Sequence, residues 1–589
     1  MVLAATYQAS VYGVRHPPQL ANLVGGLFIL PFVLFSGIGG QLADRFDKAL
    51  VLKVVKAAEL GVVALAAAAL LGHQLRLLLA NLFLMGVCAS LFAPAKYGLL
   101  PQVLARAELI GGNALVESGT FVAILLGTLG AAVLAIRGDA HLWGLTLTAL
   151  AIGGFGVSLL IPPLTAASPR LAIDWNLYRA SRDNLRAALA SRPVFLAVLG
   201  VSWFWFYGAL LLAQLPLLSR FVLHGAEPVV TLLLTVFTVA VAAGALGCEW
   251  LSGRRLEIGL VPFGSIGLTL FALDLAWASS AAPANAVEGV RQFFALPHAW
   301  RILVDLAGLG VFGGMYVVPL YALMQQRAPP ASLARVMGAN SIVNAAFMVV
   351  AALFAALLLH AGASVPLLLV IAALLNAAVA AYIYSLLPEF LLRFLSWLLV
   401  RTVYRLEEEG RGNIPEHGAA LLVCNHVSFV DALVISAACD RPIRFVMESA
   451  IFEAPLINLL ARGMKAVPIA PRRESPQVYE RAFAIVADEL QHGQLVCIFP
   501  EGRLSRDGEV AEFRPGVMRI LAETPVAVVP MALSGLWGSV FSRHPGRWWA
   551  PLVRSPAARI GICIGTPLPA AQATPELLRE RVLALRRAP

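Results

Sequence analysis

Eleven apolar stretches fill the first two thirds of the chain, at roughly 20–42, 50–72, 77–98, 109–136, 141–162, 194–219, 228–251, 258–281, 302–325, 336–360 and 364–387. Wound as helices, each is long enough to cross a hydrocarbon core about 30 Å thick. Backbone groups in lipid must bond within their own segment, so this pattern constrains the chain to a bundle of membrane helices. Composition agrees: 59% of the 589 residues are hydrophobic and 13% charged, whereas about a quarter are charged in soluble proteins. The net charge of +10 suits anionic neighbours such as membrane lipid or an acidic carrier. No basic run is interleaved with aromatics, so nucleic acid is not expected as a partner. Cys88, Cys248, Cys424, Cys439, Cys497 and Cys563 form no CxxC pair. They read as reduced core thiols, with no disulfide and no metal site.

The chain changes character near residue 390. Charge density rises and the apolar runs shorten to strand length: ALLVC at 420–424, RFVME at 444–448, LVCIF at 495–499, VAVVPMAL at 526–533 and ARIGICIG at 558–565. Helical segments such as Val478–Leu490 separate them, which is the alternation of an α/β domain. Between the halves lies EFLLRFLSWLLVRTVYRL, too interrupted for a span and suited to the membrane interface. The expected organisation is a polytopic helical domain over 1–387, an interfacial helix or linker over 388–404 and an α/β domain over 405–589.

Lys and Arg counts set the sidedness. With the GGQLADRFDK loop inside, inner loops hold about twelve Lys/Arg and outer loops about six, the bias of a cytoplasmic face. The α/β domain then lies inside. The first span runs inward, so residues 1–18 begin outside without a recognisable signal peptide. An odd number of spans with this start implies a first helix absent from the sequence. The alternative is that Met1–Val14 is itself a short membrane segment.

In GGQLADRFDK, Gly40, Asp44 and Arg45 stand between two spans. An Asp and an Arg at helix ends can clamp two helices in one state of an access cycle; an ordinary capping turn is the alternative. The segment resembles the loop between the second and third helices of major facilitator transporters. FAPAKYGLLPQ (92–102), GGNALVESGTFVAILLGTLGAAVLA (111–135) and FGGMYVVPLYALMQQR (312–327) resemble the bacterial lysophospholipid transporter branch of that superfamily. The resemblance implies a transport path lined by Asn113 and Glu117, which are four apart and share a helix face; polar contacts that hold helices together are the structural alternative. Glu59, Lys96, Asp274 and Asp305 are further ionisable residues inside spans, where their cost points to a cavity or a partner.

The α/β half carries the chemistry. ALLVC runs into Asn425-His426, and a helical run begins near Asp431. Strand ends are where α/β folds place working residues. A neutral imidazole accepts a hydroxyl proton near pH 7, and a carboxylate on its other nitrogen fixes the tautomer. His426 is therefore the candidate base and Asp431 its partner; a histidine capping a helix is the structural alternative. Downstream, LVCIF ends in Pro500, Glu501, Gly502 and Arg503, and AVPIAPRR ends in Arg472 and Arg473. NH-x4-D with FPEG downstream resembles the 1-acylglycerol-3-phosphate acyltransferase family over about 405–575. The resemblance implies O-acylation of a lipid hydroxyl by an acyl thioester, so Ser428 is not expected to form an acyl-enzyme. It implies that Asn425, Glu501, Gly502 and Arg503 hold the acceptor, with Arg472 or Arg473 on phosphate. FPEGRLS departs from FPEGTRS by moving the arginine one place earlier, as in the lysophosphatidylethanolamine-recycling enzymes. Arg473, Arg506 and Arg514 could equally serve as surface ion-pair residues.

No adenylate-forming loop follows, so the thioester is expected ready-made, from acyl-CoA or acyl carrier protein, with a separate acyl-acyl-carrier-protein synthetase as a possible partner and no bound cofactor. Three functions compete. One is import of a lysophospholipid across a bacterial inner membrane followed by cytoplasmic re-acylation. Another is lysophosphatidic acid acylation with the membrane half as anchor. The third is a transporter with a non-catalytic lipid-binding domain. Sidedness is testable in any of them. A cysteine introduced in the 163–193 loop should resist impermeant thiol reagents in intact cells, and one in the 282–300 loop should react. The opposite labelling pattern would reverse the orientation.

Overall fold

The computed structural model describes residues 17–137, 139–253, 256–280, 287–386, 388–439, 441–454, 458, 461–537 and 558–586. The Met1–Val14 segment lies outside them. Two compact units are present, Met1–Ala381 and Tyr382–Pro589.

Among the described residues of the first unit, eleven helices are long and apolar enough to cross a membrane. They are α1 (Pro17–Arg45), α2 (Lys48–Leu71), α3 (Leu75–Val103), α4 (Leu109–Arg137), α5 (Ala140–Leu159), α7 (Arg192–Leu217, continued by a π-turn), α8 (Glu227–Leu251), α9 (Leu260–Ser280), α10 (Ala299–Arg327), α11 (Leu333–His360) and α12 (Val365–Leu386). One further helix, α6 (Leu177–Leu189), sits in the long loop after α5. Asn176 caps it by accepting the Arg179 N–H at 3.0 Å. Ala180, Asn184 and Ala188, each four apart, are its buried stripe, packed on α1 and α11.

The ends of α1 and α11 are joined by Asp44. Its carboxylate is fully buried and accepts the backbone N–H of Ala334 at 3.0 Å and of Arg335 at 3.2 Å, and the Arg335 Nε–H at 3.1 Å. The charge sits at the N-terminus of α11, where unpaired N–H groups and the helix dipole favour an anion. The clamp expected from the sequence therefore exists, but Arg335 is its cation. Arg45, adjacent to Asp44, instead lies over the Phe46 ring at 5.3 Å, because neighbouring residues on a helix point to different faces. Gly40 explains how the elements come so close: a Cβ there would lie 2.5 Å from Asn184 Nδ2 and 2.8 Å from the Ala334 carbonyl.

The second unit is built on one seven-stranded sheet. Its strands are β1 (Tyr404–Glu409), β2 (Ala420–Cys424), β3 (Ile443–Glu448), β4 (Val467–Ile469), β5 (Leu495–Ile498), β6 (Ala527–Ser534) and β7 (Ala558–Ile564), in the order β1-β7-β6-β2-β5-β3-β4. Strands β6, β2, β5, β3 and β4 are mutually parallel, β7 is antiparallel to β6, and β1 is parallel to β7. All five residues of β2 are buried, as expected of a strand covered on both faces. One face packs on α13 (Pro388–Val403) and α14 (Asp431–Ala438), the other on α15 (Pro476–Gln491), α16 (Gly516–Glu523) and α17 (Pro575–Leu585). Residues 388–404, read from sequence as an interfacial helix or linker, form a helix over Pro388–Val403 that belongs to the α/β unit. Helix α13 buries Leu391, Leu392, Phe394 and Val400, and Arg393 donates to the Cys439 carbonyl at 2.6 Å. Its outward Leu395 and Leu399 stay exposed, which keeps the amphipathic pattern of an interfacial helix.

The Asp44 clamp is open to measurement. Asp44→Ala leaves the amides of Ala334 and Arg335 without their acceptor, a loss of about 1.5–3 kcal/mol for bonds to a charged group. Hydrogen exchange in a peptide covering 330–340 should accelerate roughly tenfold or more. An unaltered exchange rate would show that Asp44 does not hold α11.

Candidate active site and transport path

Because the central strands are parallel, their C-terminal ends share one edge of the sheet, and the candidate residues gather there. β2 delivers Asn425 and His426, β5 delivers Glu501 through the Pro500 turn, and α14 begins at Asp431. Asp431 is completely buried, whereas 26% of the His426 side chain is exposed. Asp431 Oδ2 accepts three donors: Val427 N–H at 2.7 Å, Ser428 N–H at 3.0 Å and His426 Nδ1–H at 2.8 Å. The carboxylate assigns the proton to Nδ1, since an acceptor nitrogen facing it would be repelled. Nε2 is then the basic nitrogen, and among the described residues it carries no hydrogen bond. The imidazole stacks on Phe499, with centroids 4.2 Å apart and planes at 18°, so ring rotation is blocked. Burial pushes the Asp431 carboxyl above the usual carboxylate range, and the hydrogen bonds from His426 and two peptide N–H groups pull it back.

Two residues expected to hold substrate turn out to build the frame. Asn425 is fully buried; its Nδ2 donates to the Leu533 carbonyl at 3.1 Å and its Oδ1 accepts the Leu533 N–H at 2.8 Å. The amide is consumed in stitching β2 to β6, so Asn425 is a positioning residue. Glu501 is likewise buried: Oε1 accepts the His426 N–H at 3.0 Å and Oε2 the Ala511 N–H at 3.1 Å. Burial raises its carboxyl above the ordinary value, opposed by those two N–H bonds. The His426 carbonyl in turn accepts the Ser505 N–H at 2.8 Å, so the 501–511 loop grips the His426 peptide from both sides.

Gly502 (φ +65°) and Arg503 are exposed beside this frame. Arg472 and Arg473 are exposed after β4, with Arg472 4.0 Å from Glu480. β4 is three strands from β2, about 14 Å at ordinary strand spacing. The structure therefore groups Asn425, His426, Asp431, Glu501, Gly502 and Arg503, and leaves the Arg472/Arg473 pair further along the same edge. Sequence reasoning missed Phe499 as the histidine's support, although it stands directly before the Pro500 turn. Burial pushes the Cys424 and Cys497 thiols upward, so neither is a thiolate near neutral pH.

In the membrane unit, Asn113 and Glu117 are fully buried and bonded across the bundle. Asn113 Nδ2 donates to Gln325 Oε1 of α10 at 2.6 Å, and Gln325 Nε2 donates to Asn113 Oδ1 and to the Tyr97 carbonyl, both at 3.1 Å. Tyr97 OH donates to Glu117 Oε1 at 2.5 Å, and its ring stacks on Tyr321 at 4.4 Å. These residues join α3 and α4 to α10 across the bundle. Elsewhere Glu59 pairs with Lys56 at 2.7 Å, and Asp274 is held bidentately by Arg301.

A Major Facilitator Superfamily profile matches residues 2–352, and an acyltransferase profile matches residues 405–534. The lysophospholipid transporter LplT of Escherichia coli O139:H28 is 31% identical over 331 residues, covering 53% of this chain and 72% of that protein. LplT of Shigella boydii serotype 18 matches to the same extent. Among solved structures, the human organic anion transporter MFSD10 superposes with a TM-score of 0.50 at 14% identity, over 64% of this chain and 89% of that one. The 1-acyl-sn-glycerophosphate acyltransferase PlsC from Thermotoga maritima has a TM-score of 0.28 at 23% identity, over 33% of this chain and 77% of that one.

The Glu501 bonds give a sharp expectation. Glu501→Gln replaces one acceptor oxygen by an NH2 group that must face a peptide N–H. The loss is about 1–3 kcal/mol, read as a lower melting temperature of the α/β unit together with a fall in any acyl-transfer rate. A variant that melts as the wild type would remove Glu501 from the frame.

Proposed function

Because this chain belongs to the Major Facilitator Superfamily and carries an acyltransferase domain behind its membrane helices, we propose that it couples lysophospholipid entry to re-acylation. The membrane unit moves the lysophospholipid inward across a bacterial inner membrane. The α/β unit, on the cytoplasmic side, transfers a fatty acyl group to its free hydroxyl from acyl-CoA or acyl carrier protein.

The observation that carries the enzymatic half is the His426–Asp431 pair, with Nε2 open at the sheet edge. Nε2 takes the proton of the lipid hydroxyl as its oxygen attacks the thioester carbonyl. The buried Asp431 carboxylate stabilises the imidazolium that forms. Collapse of the tetrahedral intermediate breaks the C–S bond, and the imidazolium returns its proton to the departing thiolate. The thioester is already activated, so no protein nucleophile is required. The supporting observation for the lysolipid is the relationship to LplT over 331 residues. A tethered pair of units raises the local concentration of one unit's product at the other, and a separate synthetase would supply acyl carrier protein thioester.

His426→Ala should lower acyl transfer about 10²–10⁴-fold in purified, folded protein, and Asp431→Asn should also be severe because the wrong tautomer is favoured. Near-wild-type transfer by His426→Ala would refute the mechanism. The acceptor is decided by offering lysophosphatidylethanolamine, lysophosphatidic acid and glycerol 3-phosphate together and weighing the products. Preference for lysophosphatidic acid would move the function to new phospholipid synthesis, and preference for glycerol 3-phosphate would exclude a lysolipid acceptor.

A further inference from the structure

Arg514 stands over the turn after β5, and among the described residues its side chain has no hydrogen-bond or ion-pair partner. Its backbone N–H donates to the Pro500 carbonyl at 2.9 Å, and Ala511, three residues earlier, is tied to Glu501 Oε2. The other oxygen of the same carboxylate holds the His426 N–H. One buried carboxylate thus fixes the base and the segment carrying Arg514 in a common frame. The guanidinium lies across Gly502: a Cβ there would be 2.8 Å from its Cζ and Nε and 2.9 Å from its Nη1. Arg514 is exposed, and among the described residues neither its guanidinium nor that of Arg503 makes a hydrogen bond or ion pair. Arg444 and Arg519 of the same unit, by contrast, are paired with Glu489 and Glu480.

We propose that Arg514, laid over Gly502 and flanked by Arg503, is the phosphate-binding residue of the acyl acceptor. This rests on the acyl-transfer reading above and moves the phosphate contact from the Arg472/Arg473 edge to the turn beside His426. A planar guanidinium with free N–H groups binds phosphate oxygens bidentately. Placed next to the base, it would hold a glycerol phosphate with its free hydroxyl near Nε2. It also gives position 502 a reason to be glycine beyond its positive φ, since a side chain would displace the guanidinium. The thioester donor also brings phosphate, as coenzyme A or a phosphopantetheine arm, so the experiment must separate the two sources.

The full chain in nanodiscs is assayed with oleoyl-CoA and either 1-oleoyl lysophosphatidic acid or the phosphate-free 1-oleoylglycerol. Arg514→Ala should raise KM for lysophosphatidic acid roughly ten- to hundredfold and leave KM for oleoyl-CoA and turnover of 1-oleoylglycerol within about twofold. Arg514→Lys should recover part of the affinity, and Gly502→Ala should reproduce the loss. A rise in KM for oleoyl-CoA instead, or an unchanged KM for lysophosphatidic acid, overturns the assignment. Independently, His426→Ala protein is tested for retention of labelled lysophosphatidic acid displaced by glycerol 3-phosphate, with and without Arg514→Ala. If the wild type acylates no acceptor but this binding depends on Arg514, the phosphate site stands and the acyl-transfer reading falls. Binding that ignores Arg514 refutes the site whatever the activity.

Discussion

The active half is organised around a single oxygen atom. Asp431 Oδ2 collects two peptide N–H groups and the imidazole of His426, and that convergence is possible only because the carboxylate is buried at the first turn of α14. Hydrogen bonds to an ionised group in a low-dielectric site are stronger than neutral ones. They bend the chain sharply after β2 and fix the imidazole at once. A solvated aspartate at the same position would leave the tautomer to compete with water. The loop geometry and the chemistry therefore have one cause.

A second carboxylate extends the same logic to the neighbouring strand. Glu501 bonds the peptides of His426 and Ala511, so the turn after β5 cannot shift without moving the base. Catalytic geometry tolerates little displacement. This gives a structural reason for burying a charged residue beside His426. Asn425 does the corresponding work toward β6. Asn425 and Glu501, which look from the sequence like substrate ligands, spend their polar atoms on the backbone, whereas Gly502, Arg503 and Arg514 are exposed beside them.

The membrane half obeys the same accounting under a stricter solvent. Polar groups in lipid must find partners within the protein. Asn113, Gln325, Tyr97 and Glu117 Oε1 bond one another across the bundle, and Asp44 accepts the first N–H groups of α11. All of these contacts but Tyr97–Glu117 join elements distant in sequence.

The eleven spans were legible because apolar length in a bilayer has only one solution. The buried strands β2, β5 and β6 were legible because a strand covered on both faces must be apolar throughout, and the His426–Asp431 pair because both residues lie within seven positions of one strand end. β1 was not, since YRLEEE on a sheet edge buries only Tyr404. The cation of the Asp44 clamp was equally hidden. Arg335 is 291 residues away, while Arg45 beside it points elsewhere on the helix. The sequence by itself determined which segments enter lipid and which residues can exchange a proton, because hydrophobic length and side-chain chemistry are local properties. Only the tertiary structure decided that Asn425 and Glu501 are struts, that Asn113 and Glu117 bond across the bundle, and that Arg514 overlies Gly502. Those roles depend on which backbone donor or open face meets a side chain after distant segments have packed, and no spacing along the chain encodes that meeting.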